Sequence, residues 1–225
     1  MNNTISPNSH HDREMIQLYF AEGSCAFASI VALEEAGVHF VARKLDMKAN
    51  EQRSAEYLAI NPRGRVPTLI ADGRVITETI ALLTYVAYRF PDAGLLPLDH
   101  PGRLARAYEL MSWFASSLHV TVAQIWRSTR FTQDATAIAA LRAEGPAILL
   151  EGYREIERLM EGPWLLGETF SVLDPYAVVF WRWGERLGFE MHRFPAWAAH
   201  KARVMARPAA ERAVAIERGL VSVSA

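Results

Sequence analysis

The sequence predicts an α/β unit followed by an all-helical one, a fold class of α/β plus all-α. Three observations carry this. Short runs of β-branched and aromatic residues, Ile16-Gln17-Leu18-Tyr19-Phe20, Val38-His39-Phe40-Val41-Ala42, Thr68-Leu69-Ile70 and Val75-Ile76, are interleaved with helical patterns over the first ninety or so residues. Beyond about Arg103 every periodic stretch has helical spacing. Between the two lies 91–102, rich in proline and glycine, which reads as a linker.

In order, the first strand Ile16–Phe20 runs into the turn Ala21-Glu22-Gly23-Ser24, where Gly23 and Ser24 supply the bend and an N-cap for a helix opened by Cys25. Ile30 and Leu33 continue that helix and Gly37 stops it. The second strand, Val38–Ala42, then completes a β-α-β unit with parallel strands. A polar helix is expected from about Glu51 to Ala59, and Asn61-Pro62-Arg63-Gly64-Arg65-Val66-Pro67 is dense in turn formers. Asp72-Gly73 marks a hairpin between two further strands, and Thr77-Glu78-Thr79 opens a helix with Ile80, Leu83, Val86 and Ala87 on its apolar face. The order is βαβαββα. After the linker, helices are expected over about Arg103 to Arg127, Asp134 to Met160, Asp174 to Leu187 and Phe194 to Ala206. Ser171-Val172-Leu173-Asp174 matches a capping box and is read as nucleating the third of these. Residues 1–14 are polar, lack the apolar core of a secretory signal and read as a disordered extension. The organisation expected is therefore 15–90, linker 91–102, and a helical part over 103–225.

Composition narrows the function. With 51% hydrophobic residues in 225, a sizeable core is available. Lysine plus arginine (24) nearly balances aspartate plus glutamate (25), so no basic field for nucleic acid is expected. No run is long and apolar enough for a membrane helix, and the single cysteine fits a reducing cytoplasmic setting. No metal is expected.

Cys25 is the first candidate for chemistry. A lone cysteine is commonly a small buried hydrophobe, but one in the first turn of a helix after a Gly-Ser turn is placed for thiolate formation, and its pKa should fall. A C-x-x-C redox pair would need a second cysteine at Ala28, so any redox cycle here requires an external thiol. Pro67 is either an ordinary turn device or, if cis, a bend presenting the backbone of Val66 to an extended peptide-like ligand. Thr77-Glu78-Thr79 either caps a helix or offers N–H groups and a hydroxyl to a carboxylate while Glu78 takes an ammonium. Arg127 and Arg130 are either solvated charges or attractors of an anionic co-substrate.

Together, Tyr19-Phe20-Ala21-Glu22-Gly23-Ser24-Cys25, Ala59-Ile60-Asn61-Pro62-Arg63-Gly64-Arg65-Val66-Pro67 and Ile76-Thr77-Glu78-Thr79 resemble the thioredoxin-like half of cytosolic glutathione transferases, and of the bacterial beta class in particular. The likeness continues through Ser116-Ser117-Leu118-His119, Phe170-Ser171-Val172-Leu173-Asp174 and Arg203-Val204-Met205-Ala206-Arg207-Pro208 in what would be the α-helical bundle. It implies glutathione as co-substrate, with Cys25 beside its sulfur and His119 reaching toward both as the catalytic pair. Ser24, Lys48, Arg65, Val66, Pro67, Glu78 and Thr79 would bind the tripeptide: Val66 its cysteinyl backbone, Glu78 and Thr79 its γ-glutamyl end, Lys48 its glycyl carboxylate. Trp113, Trp126 and Trp164, with Phe114, Val120 and Phe131, would line a hydrophobic pocket for the second reactant. Two departures from the class stand out, Ser112 in place of an asparagine and a shortening by one residue after Asp46. The resemblance further implies a homodimer in the cytoplasm.

The leading expectation is transfer of the glutathione thiolate to small hydrophobic electrophiles. The alternatives are glutathione-dependent thiol-disulfide exchange or peroxide reduction through a Cys25–glutathione disulfide, and a non-catalytic binding or stress-response module.

Overall fold

The computed structural model describes residues 15–221, so the expected extension over 1–14 lies outside the described residues. Strand β1 (Ile16–Phe20) is central: it pairs in parallel with β2 (Phe40–Lys44) and antiparallel with β3 (Thr68–Ala71), which in turn pairs antiparallel with β4 (Arg74–Thr77). The sheet order is β2-β1-β3-β4. Leu18 and Phe20 alternate into the core, and Asp72 and Gly73 at φ 49° and 67° make the tight hairpin their sequence demands. Helix α1 (Ala26–Glu35) joins the parallel pair, α2 (Ala55–Ile60) precedes β3, and α3 (Thr79–Arg89) follows β4. This is the expected βαβαββα thioredoxin-like unit with two shifts: the polar helix expected from Glu51 to Ala59 is a 3-10 turn, Glu51–Arg53, followed by α2 from Ala55, and β2 starts at Phe40 rather than Val38. Val38 is occupied instead in ending α1. Its N–H donates to Leu33 C=O and that of Gly37 to Glu34 C=O, with Gly37 left-handed at φ 64°, so the cap takes the residues the strand pattern claims.

The stretch after α3 is packed rather than loose. Leu95 and Leu96 are buried, and Leu95 C=O accepts from Val172 N–H across to the helical half. That half comprises α4 (Pro101–Trp113), α5 (His119–Trp126), α6 (Ala135–Leu159), α7 (Leu173–Leu187), α8 (Pro195–Met205) and α9 (Pro208–Glu217). The single helix expected from Arg103 to Arg127 is interrupted at Phe114–Leu118 by a π-helical turn, which rephases the faces of α4 and α5. Helix α9 falls where no helix was expected. Its signals are Pro208 at the first helical position and Ala209, Ala210, Ala213 and Ile216 on one buried face.

Two helices are buried nearly all round. Residues Ala26 to Leu33 of α1 lie between the sheet, α3, α7 and α9, and α7 runs through the centre of the helical half. The start of α7 is fixed by Asp174. Its carboxylate accepts from Ser171 N–H (2.7 Å), Ser171 Oγ (3.2 Å) and Leu165 N–H (2.9 Å), and lies 2.8 Å from His200 Nε2. Ser171 Oγ accepts in turn from Leu173 N–H, so the capping box forms as its sequence proposes, with two extra partners that sequence does not show. Replacing Asp174 by Ala leaves these buried donors without acceptors. The expected loss is about 3–4 kcal/mol in urea unfolding, and a loss under about 1 kcal/mol would mean the network is not what holds α7 in place.

Candidate active site

The C-terminal end of β1, the N-termini of α1 and α3, and the loop before β3 open onto one face, and α5 and α7 close over it. The cleft between them is about 1460 Å³. Ser24, Cys25, Lys48, Arg65, Val66, Pro67, Glu78, Thr79, His119 and Trp126 all line it, from segments up to a hundred residues apart.

Each is held by its own element. Gly23 sits at φ 69°, a left-handed conformation that side chains rarely adopt, so the turn before Cys25 favours glycine. Ser24 Oγ donates to Ala21 C=O (2.7 Å) and accepts from Ala26 N–H (3.2 Å), while Cys25 takes the N-cap position itself. The Val66–Pro67 bond is cis. The loop leading into it is pinned by Arg65 C=O, which accepts from Tyr57 Oη (2.6 Å) and Asn61 Nδ2 (2.8 Å). Glu78 opens α3 at φ 73°, a left-handed conformation costly for a side chain of this kind and one that concentrates at ligand sites. Lys48 stands in a tight turn where Asp46 Oδ1 accepts from the N–H of Lys48 (2.7 Å) and Ala49 (3.2 Å).

Cys25 departs from expectation in one respect. The thiol is 4% exposed, with Thr79 Oγ1 donating to Sγ at 3.4 Å and Sγ 3.8 Å from Val66 C=O. Burial pushes its pKa up and outweighs the hydrogen bonds from Thr79 and from its own N–H, and the Glu78 charge adds to the rise. The helix start therefore does not make Cys25 a thiolate. His119, at the end of the π-helical turn, stacks on Trp183 with ring centroids 4.8 Å apart. Burial, then the charges of Arg127, Arg130 and Arg65, push its pKa down to about 4 and keep it neutral.

Two of the three tryptophans assigned to the pocket are elsewhere. Trp113 faces a separate groove beside Arg106, Gly152 and Glu155, and Trp164 meets Phe170 edge to face (centroids 5.1 Å apart) and sits beneath the Arg207 guanidinium. Phe114 is fully buried against Tyr176 and Phe180. For Trp113 and Phe114 the rephasing at Phe114–Leu118 decides which inward face meets the cleft, whereas Trp164, assigned by the family resemblance, lies in the non-helical segment between α6 and α7. Val120, Trp126 and Phe131 do line it, whereas Ser112 is exposed and the cleft wall begins at Ala115. Among the described residues no group of three or more His, Cys, Asp or Glu is placed to hold a metal ion.

The residues that sequence reasoning missed come from α7 and α9. Trp183 Nε1 donates to Gly23 C=O (2.9 Å), and its ring meets those of His119 and, at 6.0 Å, Trp126. Gly23 N–H donates to Glu217 Oε1 (3.0 Å), while Glu217 Oε2 takes Arg182 Nη2 (2.6 Å) and the backbone C=O of Glu217 takes Lys44 Nζ (2.7 Å). Tyr176, fully buried at the cleft, has no hydrogen-bond partner for its hydroxyl among the described residues. The tryptophan-rich run around Trp183 was the available signal. Glu217 gave none.

Comparison with known proteins gives consistent matches. Residues 15–88 match the family model described as the glutathione S-transferase N-terminal domain. The chain is 28% identical over 206 residues to glutathione S-transferase GstA of Escherichia coli O157:H7, spanning 90% of this chain and 98% of that one. A glutathione transferase homologue from Sulfitobacter, solved with bound glutathione, superposes with a TM-score of 0.86 at 33% identity, covering 92% of this chain and 99% of the other. A beta-class glutathione S-transferase of Sphingomonas chungbukensis superposes at 0.79 with 29% identity over 91% of this chain and all (100%) of the other.

Two outcomes follow from this geometry. Alkylation of Cys25 by iodoacetamide, followed by mass spectrometry in the unliganded protein, should be slow at neutral pH and still be rising above about pH 9; a plateau below that would contradict the burial argument. Glu217→Ala leaves Gly23 N–H and Arg182 without their acceptor, so it should cost about 2–4 kcal/mol in urea unfolding and speed the alkylation by loosening the turn.

Proposed function

As the chain belongs to the cytosolic glutathione transferase superfamily, we propose that its cleft binds glutathione and delivers the tripeptide's thiolate to a small electrophile. The enzyme is a glutathione S-transferase in type. In the reaction proposed, glutathione loses its thiol proton, its sulfur forms a bond to an electrophilic carbon, and the leaving group departs with its electron pair.

The observation that carries the reading is a protonated thiol beside the cis Val66–Pro67 segment and the N-terminus of α3. A neutral S–H is a donor. Placed against the glutathione sulfur, it stabilises that sulfur as an anion, as a carboxylic acid kept neutral by an apolar site serves an oxyanion. Backbone groups of Val66 pair with the cysteinyl residue, Thr79 and Glu78 hold the γ-glutamyl carboxylate and ammonium, and Lys48 with Arg65 reaches the glycyl end. Neutral His119 faces the sulfur beside Trp126, and the remaining contribution is alignment of two reactants in one cleft. A homodimer, to be read from light scattering, belongs to the same proposal.

Thiol-disulfide exchange through Cys25 has less support, because a buried thiol with a raised pKa is a poor nucleophile and Ala28 supplies no resolving partner. The two chemistries separate by mutation. With 1-chloro-2,4-dinitrobenzene as electrophile, Cys25→Ala should lower kcat/KM by about 10- to 100-fold and Cys25→Ser by less, since a hydroxyl still donates. Glutathione-dependent reduction of 2-hydroxyethyl disulfide should be weak in the parent. Strong reduction by the parent that both variants abolish would replace this reading with the exchange one.

A further inference from the structure

The helical half brings Arg127 and Arg130 to the cleft, and the α/β half brings Arg65. Their backbones are fixed. Arg127 ends α5, donating its N–H to Ala123 C=O (2.8 Å), and Arg130 closes the 3-10 turn Ser128–Arg130. Buried Ser128 anchors that turn, its Oγ donating to Gln124 C=O (2.6 Å) and accepting from Arg142 Nε (3.2 Å). Arg65 sits where Tyr57 and Asn61 clamp its carbonyl.

Two further cations of the same cleft have carboxylates, Lys44 with Glu22 at 2.6 Å and Arg182 with Glu217 at 2.6 Å, whereas Lys48 and Arg186 have none within 4.0 Å among the described residues. Arg65, Arg127 and Arg130 have no carboxylate oxygen within 4.0 Å among the described residues. Their shared charge is felt nearby. Partial desolvation and then the charges of Arg127, Arg65 and Arg53 push Arg130 down to about 10, and Arg127, Arg130 and Arg65 help depress His119. Like charges gathered without a counter-charge cost the folded state, and such a field attracts anions.

Next to these guanidiniums the wall is aromatic. Trp126 meets Trp183 edge to face and carries the Arg186 guanidinium over its ring at 5.1 Å, with Val120 and Phe131 alongside. Under the transferase reading, on which this inference rests, the two glutathione carboxylates go to the start of α3 and to the Lys48–Arg65 side. That leaves Arg127 and Arg130 for something else.

We propose that the second reactant is an anion, an aromatic or conjugated carboxylate whose acid group pairs with Arg127 and Arg130 while its flat body lies on Trp126 and Trp183. Planar guanidiniums match a carboxylate in two-point fashion, and the aromatic wall matches the rest of such a molecule. Arg65 adds its charge from the other side of the cleft. This narrows the pocket's chemistry from hydrophobic electrophiles in general to amphipathic acids.

The test compares 4-chloro-3-nitrobenzoate with 4-chloro-3-nitrobenzamide, which differ in charge but hardly in shape. In either, glutathione's sulfur bonds to the carbon bearing chlorine, chloride leaves with the bonding pair, and the thiol proton goes to solvent. With kcat/KM normalised to the uncatalysed reaction, the full chain should prefer the carboxylate by about tenfold or more. The double variant Arg127→Gln/Arg130→Gln should bring that preference to within about twofold of unity, mainly through KM for the benzoate. Arg193→Gln, which removes an exposed cation paired with Glu190 away from the cleft, should keep it. Equal rates with both compounds in the parent would overturn the proposal while leaving the transferase reading intact. So would a double variant that raises KM for glutathione and keeps the preference, since the arginines would then serve the tripeptide. Calorimetric titration of the S-methylglutathione-saturated protein gives an answer without turnover. Tighter binding of the benzoate that the double variant loses supports the anion site even where no product forms, a failure that would count against the transferase reading alone; equal affinities would overturn the anion site.

Discussion

Everything at the mouth of this cleft depends on how the backbone of Gly23 is held. Its N–H is taken by Glu217 and its C=O by Trp183, so the turn that presents Cys25 is gripped from two helices of the other half. The grip is built from buried polar groups that satisfy one another. Glu217, 1% exposed, is neutralised by Arg182, whose guanidinium also lies over the Phe27 ring at 4.6 Å. Burying such a carboxylate alone would cost several kcal/mol; paired and hydrogen-bonded at each oxygen it is tolerable and geometrically demanding. The left-handed φ of Gly23 then follows from the path between those two anchors, and so does the direction in which α1 sets out. The α/β half thus does not carry its reactive end independently. The helical half completes it.

Burial also decides the state of the sulfur. A helix start favours a thiolate by an amount on the order of 1 kcal/mol, whereas full desolvation of an ionisable group can shift its pKa by up to about 3–5 units at about 1.4 kcal/mol each. The second effect is larger, and Cys25 is held as a donor rather than an attacker. His119 follows the same logic in reverse, because desolvation and three arginines keep the imidazole uncharged. A cleft with a neutral thiol, a neutral imidazole and guanidiniums without carboxylate partners among the described residues is suited to stabilising negative charge brought in by ligands. It is poorly suited to generating a protein nucleophile.

Much of this was legible from local signals, and the reason is visible element by element. Strand alternation at Ile16–Phe20, the Asp72-Gly73 turn, the start of α3 at Thr79 and the capping box at Ser171–Asp174 are properties of a few neighbouring residues, and the chain obeys them. The two helix starts read as facing one ligand do open onto one cleft, while Lys48, Arg65 and His119 were named from the family resemblance rather than from such local signals. What escaped was set at long range. Gly23 and Glu217 are 194 positions apart and Gly23 and Trp183 are 160, and nothing in the sequence near Gly23 announces either partner. Trp113 failed for a related reason, since periodicity tells that a side chain faces inward without telling toward what, and the π-helical turn changes the answer along a single helix; Trp164, outside any helix, had only the family resemblance behind it. The direction of the Cys25 shift required knowing how completely α1 is covered, which only the packed structure reveals.

Net charge shows the same separation between sum and arrangement. A formal charge of −1 excludes a general basic surface, yet it says nothing about where compensation is withheld. Along the exposed faces of α4 and α6, Arg106, Arg154 and Arg158 each have a glutamate three residues away, so those charges act as local pairs with little outward field. At the end of α5 the pairing stops, and the field that remains points into the cleft. Such a field raises the encounter rate with anions, but it would also retain an anionic product if the site were closed. Because Arg65, Arg127 and Arg130 remain exposed to solvent, physiological salt screens them over a Debye length of about 8 Å. A reactant held in direct contact then feels the guanidiniums strongly, while one that has moved a few ångströms toward the mouth feels them little. Capture and release therefore come from the same three charges, with the difference made by water.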